Sequence, residues 1–123
     1  MKYLFVNTIF ALFLVNGSIF DAAAKSINCE FCDLRYEDFH SKKMKNSSLK
    51  GSYLYGADFT KAEVNKTDFS STNLIYSKFV RSDLTKSIFT NADLTKSNLF
   101  GATLREVKAN FTNFSGAYLE AAE

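Results

Sequence analysis

No proline occurs in the 123 residues, and histidine and cysteine are scarce, with one and two. Without proline every residue keeps its backbone N–H, so nothing in the chain blocks walls stacked by backbone hydrogen bonds. The single histidine, His40, leaves a zinc site short of ligands, and no metal or cofactor is expected. Fifteen basic residues nearly balance 13 acidic ones, for a net charge of +2. That balance is too weak to imply nucleic acid or an anionic membrane as a partner.

The apolar run Tyr3 to Val15, after a short basic start, suits an export signal and is short for a membrane span. Ala22 and Ala24 supply the small residues of an A-x-A cleavage site, so residues 1–24 read as a signal peptide cut after Ala24. No later run is apolar enough for a transmembrane helix, and the expected product is exported, to the periplasm or beyond the cell. Ser26-Ile27-Asn28 before Cys29 lacks the small-residue run of a lipoprotein signal.

What is abundant is a five-residue period. Every fifth residue from Cys29 to Leu119 is Leu or Phe except Cys29, Met44, Val64 and Ala109. From Cys32 to Ala117 the residue two before each centre is Ala, Ser, Thr or Cys, except Glu37, Lys42 and Val107. A straight helix turning about 100° per residue would smear such centres around its cylinder. In a straight strand successive centres would alternate faces. Only a chain that bends once per repeat keeps them on one side, which makes it a solenoid with the centres along its axis. Gly51, Gly56, Gly101 and Gly116, with Asn46 and Asn91, all lie two residues after a centre, and positive φ is expected at that corner.

Ala57-Asp58-Phe59, Ala92-Asp93-Leu94, Ser97-Asn98-Leu99 and Ser82-Asp83-Leu84 resemble the A(D/N)LXX unit of the pentapeptide repeat proteins. The resemblance spans roughly residues 29–119. It implies a right-handed parallel β-helix of square cross-section with four repeats per coil, about 4.5 coils. Residues twenty apart would then stack, giving ladders such as Phe39/Phe59/Phe79/Leu99/Leu119 and Leu49/Phe69/Phe89/Ala109. The expected organisation is a signal peptide over 1–24, an N-terminal cap over 25–31, the β-helix over 32–119 and a tail over 120–123. Glu37 and Lys42 predict a loose or capping first coil. Val107 and Ala109 exchange sizes, which reads as volume compensation or as a bulge bringing Phe111 inward.

Cys29-Glu30-Phe31-Cys32 is the one motif that invites chemistry. A disulfide is its simplest reading in an exported protein, stabilising by about 2 kcal/mol for so short a loop. Reduced or metal-bound thiols and a redox-active pair are the alternatives, the last without the helix N-terminus such thiols use. Asp58, Glu63, Asp68, Asp83 and Asp93 precede centres and should point to solvent, while Lys61, Lys66, Arg81 and Lys86 occupy corners. The Asn-X-Ser/Thr matches at Asn46, Asn65, Asn110 and Asn113 are what an Asn-, Ser- and Thr-rich repeat generates by chance.

Tyr55, Ile75 and Tyr76 on one wall and Val80 and Phe100 on the next are expected to point outward, as a partner patch or as scattered surface aromatics. The primary functional reading is an exported, non-enzymatic interaction or scaffold protein with an unknown protein partner. The resemblance adds a DNA-mimicking gyrase binder, for which the surface is too nearly neutral, and Cys29 and Cys32 add a thiol-disulfide protein. A homodimer through the C-terminal coil stays open.

Overall fold

The computed structural model describes residues 26–123; the signal peptide assigned to residues 1–24 lies outside them. Residues pair in parallel twenty apart without interruption, from Asn28 with Ser48 to Asn98 with Tyr118. Each coil therefore takes twenty residues and four bends, the quadrilateral solenoid that the five-residue period requires.

Each bend is a four-residue turn from one centre to the next small residue. The small residue donates its N–H to the carbonyl of the centre, as Ala57 does to Leu54 at 3.0 Å and Ala92 to Phe89 at 2.8 Å. The third turn residue has positive φ, as in a type II turn. All six Gly and Asn corners show it, and so do fifteen non-glycine residues in all, including Tyr36, Lys66, Tyr76 and Glu106, with φ of 54–62°. A side chain in that region costs about 1 kcal/mol or more, so the surrounding bonds must impose it.

Those bonds run between coils. The centre and the corner each donate forward, as Phe59 to Lys78 at 2.7 Å and Lys61 to Val80 at 2.8 Å. The residue before the centre donates backward, as Asp58 to Glu37 at 3.0 Å. Four walls result. Wall A contains residues 32–34, 52–54, 72–74, 92–94 and 112–114, and turn A follows each of these with residues 35–36, 55–56, 75–76, 95–96 and 115–116. Walls B, C and D follow in order around the coil, each with its own turn.

The centres fill the axis. Phe39, Phe59 and Phe79 stack face to face at 4.7 and 4.8 Å, Phe69 and Phe89 at 4.9 Å. The two stacks meet edge to face at 5.6 to 6.0 Å, the arrangement ring quadrupoles favour. From Phe39 to Leu99 the centres are at most 1% exposed. Of the buried hydroxyls, Thr67 donates to the Met44 carbonyl at 2.9 Å and Ser87 to that of Val64 at 2.8 Å, whereas Ser77 and Ser97 find no partner.

The ladder bonds are in place at Cys29, which donates to Ser48, and still at Glu123, which donates to Ala102. Residues 28–31 and 120–123 thus share the geometry of the coils they adjoin. Val107 packs partly against the core, Ile88 keeps its pairing with Lys108, and Phe111 is 90% exposed. The bulge expected as one option is excluded.

A Cβ at Gly56 would meet the Tyr36 ring at 2.8 Å, whereas one at Gly101 would meet Arg81 Cγ at 3.4 Å. Since both corners share a φ that other residues tolerate, the difference is the aromatic ring lying over Gly56. Gly56→Ala is expected to lower stability by about 1–2 kcal/mol in urea unfolding and Gly101→Ala by less. Tyr36→Ala added to Gly56→Ala should recover part of the loss; a strictly additive double mutant would exclude the ring as the cause.

Candidate interaction surface

The Asp or Asn before a centre has a structural task that the repeat unit encodes. Its side-chain oxygen accepts the N–H of the residue after the centre, a donor the coil-to-coil ladder leaves over. Asp58 takes Thr60 at 2.9 Å, Asp68 takes Ser70 at 2.8 Å, Asp83 takes Thr85 at 3.0 Å and Asp93 takes Thr95 at 2.9 Å. Asn73, Asn98 and Asn113 do the same for Ile75, Phe100 and Ser115. These carboxylates, expected to point freely to solvent, are half-buried turn caps. For Asp58 partial burial raises the pKa, but hydrogen bonds from the Thr60 hydroxyl and amide outweigh it and hold the group below its usual range.

Glu63, one methylene longer, ion-pairs instead with Lys45 at 2.8 Å and Lys43 at 3.4 Å. The hydrogen bond from Lys45 holds its carboxyl below the ordinary value. Lys61, Lys66, Arg81 and Lys86 sit at exposed corners, and Lys86 pairs with Glu106 at 3.6 Å. Among the described residues no three His, Cys, Asp or Glu side chains are grouped to hold a metal ion.

Cys29 and Cys32 face the interior at the N-terminal end, 4% and 5% exposed, with sulfurs 2.04 Å apart, a disulfide distance. Ser52 ties the same turn down, accepting from the Cys32 N–H at 3.1 Å and donating to the Cys29 carbonyl at 2.7 Å. The pair spans one turn of the first coil.

The five residues of the expected apolar patch lie in two neighbouring groups, as their phase places them. Tyr55, Ile75 and Tyr76 lie in successive coils of turn A, and Val80 and Phe100 lie in turn B. Tyr76 is 46% exposed, while Tyr55, Ile75, Val80 and Phe100 are half-buried, lower than the outward position expected for all five. Stacking explains the difference, because each turn residue is flanked by its neighbours in the coils above and below.

Sequence reasoning missed Tyr36, Tyr53 and Tyr118. Tyr36 is 72% exposed and Tyr53 56%. Tyr55 meets Tyr36 edge to face at 5.5 Å and Tyr76 at 5.6 Å, so three rings join across turn A. The twenty-residue column Tyr36, Gly56, Tyr76, Lys96 contains the signal, a glycine between two tyrosines that lets Tyr36 fold over it. Lys96 Nζ lies 3.1 Å from the Tyr76 hydroxyl and 5.4 Å from the ring centroid, beyond the hydroxyl edge and not over the face. That hydrogen bond raises the Lys96 pKa. In turn B, Phe100 stacks on Tyr118 at 6.1 Å, and Tyr118 hydrogen-bonds Glu120.

Comparison with known proteins gives a consistent result. A family model described as "Pentapeptide repeat region" matches residues 25–99, and a second, "Pentapeptide repeats (8 copies)", matches residues 97–123. Among solved structures, HetL of the cyanobacterium Nostoc sp. strain PCC 7120, a protein involved in heterocyst differentiation regulation, superposes with a TM-score of 0.74 at 26% identity. The match covers 78% of this chain and 46% of HetL, so the chain spans about half of HetL's length. A pentapeptide repeat protein of the Arabidopsis thaliana thylakoid lumen shares 27% identity over 81% of this chain and 66% of its own, with a TM-score of 0.49. No curated protein is significantly similar to the chain.

Two substitutions test the roles of these carboxyl groups. Asp58→Asn should leave stability nearly unchanged, because asparagine caps the same turn elsewhere, whereas Asp58→Ala should lose about 1 kcal/mol in chemical denaturation. Glu37 occupies a small-residue slot, and burial, then the Asp38 charge, raises its pKa above 4.5. Folding therefore disfavours its ionised form, a penalty complete above the folded-state pKa and absent below 4.5. Glu37→Ser should raise Tm at neutral pH, with the charge-dependent part of the gain vanishing as pH falls below 4.5; a gain that grew on acidification would contradict it.

Proposed function

Because the chain belongs to the pentapeptide repeat family, whose solenoid uses its interior for stacking, we propose that it acts as an exported, non-enzymatic protein-interaction module. One observation carries the reading: the axis is filled by side chains at most 1% exposed from Phe39 to Leu99, so chemistry is left to the outer surface. On that surface the aromatic turn A, Tyr36, Tyr55 and Tyr76 with Ile75, is the feature the repeat does not require. Exposed aromatics gathered on one face are enriched at protein contacts. In this reading the partner is a protein, no cofactor takes part, and the Cys29–Cys32 pair closes the first coil.

HetL's involvement in heterocyst differentiation regulation is in keeping with a role exerted through contacts. A DNA-mimicking role has less support, since Lys61, Arg81, Lys66 and Lys86 place cations on two corners of a surface such a mimic would keep acidic. Export rests on the apolar run from Tyr3 to Val15 and the small residues Ala22 and Ala24.

In-cell crosslinking and mass spectrometry of the tagged chain, beside a Tyr55/Ile75/Tyr76→Ser variant, is the deciding experiment. The expected outcome is a partner captured by the wild type and lost from the variant. The same sparse set from both would contradict a docking role for turn A and favour a structural rod, or self-association through the C-terminal coil.

A further inference from the structure

The charges around turn A are not distributed like those of the whole chain. Beside Tyr36 in sequence stand Asp33, Glu37 and Asp38, and Asp58 pairs with Asp38 in the next coil. Their basic counterparts are Arg35, bonded to Asp33 at 2.6 Å, and Lys78, 3.7 Å from Asp58. Four carboxylates thus face two cations at the N-terminal end of the tyrosine ladder, in a chain whose net charge is +2. The excess of positive charge lies elsewhere, at the corners that bear Lys61, Arg81, Lys66 and Lys86.

Resting on the interaction reading above, we propose that the Tyr36–Tyr55–Tyr76 ladder and its acidic rim at Glu37, Asp38 and Asp58 dock a basic segment, rich in arginine or lysine, of a partner protein. Two features of the ladder suit such a segment. Tyrosine offers a negative ring face and a hydroxyl oxygen to a cation, and carboxylates beside it complete the neutralisation. The ladder already holds one ammonium through a hydroxyl oxygen, Lys96 at Tyr76. Tyr36 and Tyr53 are the more exposed rings, and they lie at the end where the carboxylates gather.

The probe is a fluorescein-labelled peptide of alternating arginine and glycine, titrated with the full chain and followed by anisotropy. Saturable binding is expected, weakened about tenfold by Tyr36→Ser with Tyr55→Ser. Asp38→Asn with Asp58→Asn should also weaken it, and because asparagine keeps the turn caps these variants retain the fold. Asp68→Asn with Asp83→Asn, the same charge change on walls D and C, should leave binding unchanged. Equal weakening by both asparagine pairs, or equal binding of an alternating glutamate and glycine peptide, would overturn the assignment. Self-association in light scattering that the tyrosine substitutions abolish would also overturn it, by making a second copy the occupant. Cellular crosslinks lost on Tyr55/Ile75/Tyr76→Ser without any peptide binding would sink the basic partner yet leave the interaction module standing.

Discussion

Parallel pairing between residues twenty apart is the constraint on which the rest of this molecule depends. It fixes the path of the backbone, because the forward bond from a centre and the backward bond from its predecessor are met only if the chain turns every five residues. It also fixes what those turns cost. Every corner is held at positive φ whether it carries glycine, lysine or tyrosine, and the coil-to-coil ladder makes that tolerable for so many side chains.

The same register acts on side chains. Identical slots in successive coils lie one above another, so Phe39, Phe59 and Phe79 become a face-to-face stack and small hydroxyls reach carbonyls of the previous coil. The Asp or Asn before each centre, cramped between its neighbours, turns to the one backbone donor the ladder leaves over. Sequence reading located these residues and missed the capping, because the period reports which face a residue occupies and not what lies within its reach.

Surface features show where reading the sequence reached its limit. Tyr55, Ile75 and Tyr76 stand out in the linear sequence because they are apolar in slots that are usually polar. Tyr36, in the same corner column as Tyr76, gains its significance only when Gly56 is placed beneath it. The acidic rim depends in the same way on the pairing of Asp38 with Asp58, one coil apart.

By itself the sequence determined the solenoid, its phase, its filled axis and its corners, because a period of five with alternating large and small residues admits one kind of backbone. Cys29 and Cys32 were legible as a pair for the same reason, one a centre and the other the next small slot. The tertiary structure decided which turn residues meet. Contacts such as Tyr36 with Tyr55 and Tyr55 with Tyr76 arise between coils, and their geometry depends on side-chain size and rotamer in three successive turns. A period repeats identically along the chain and carries no such information.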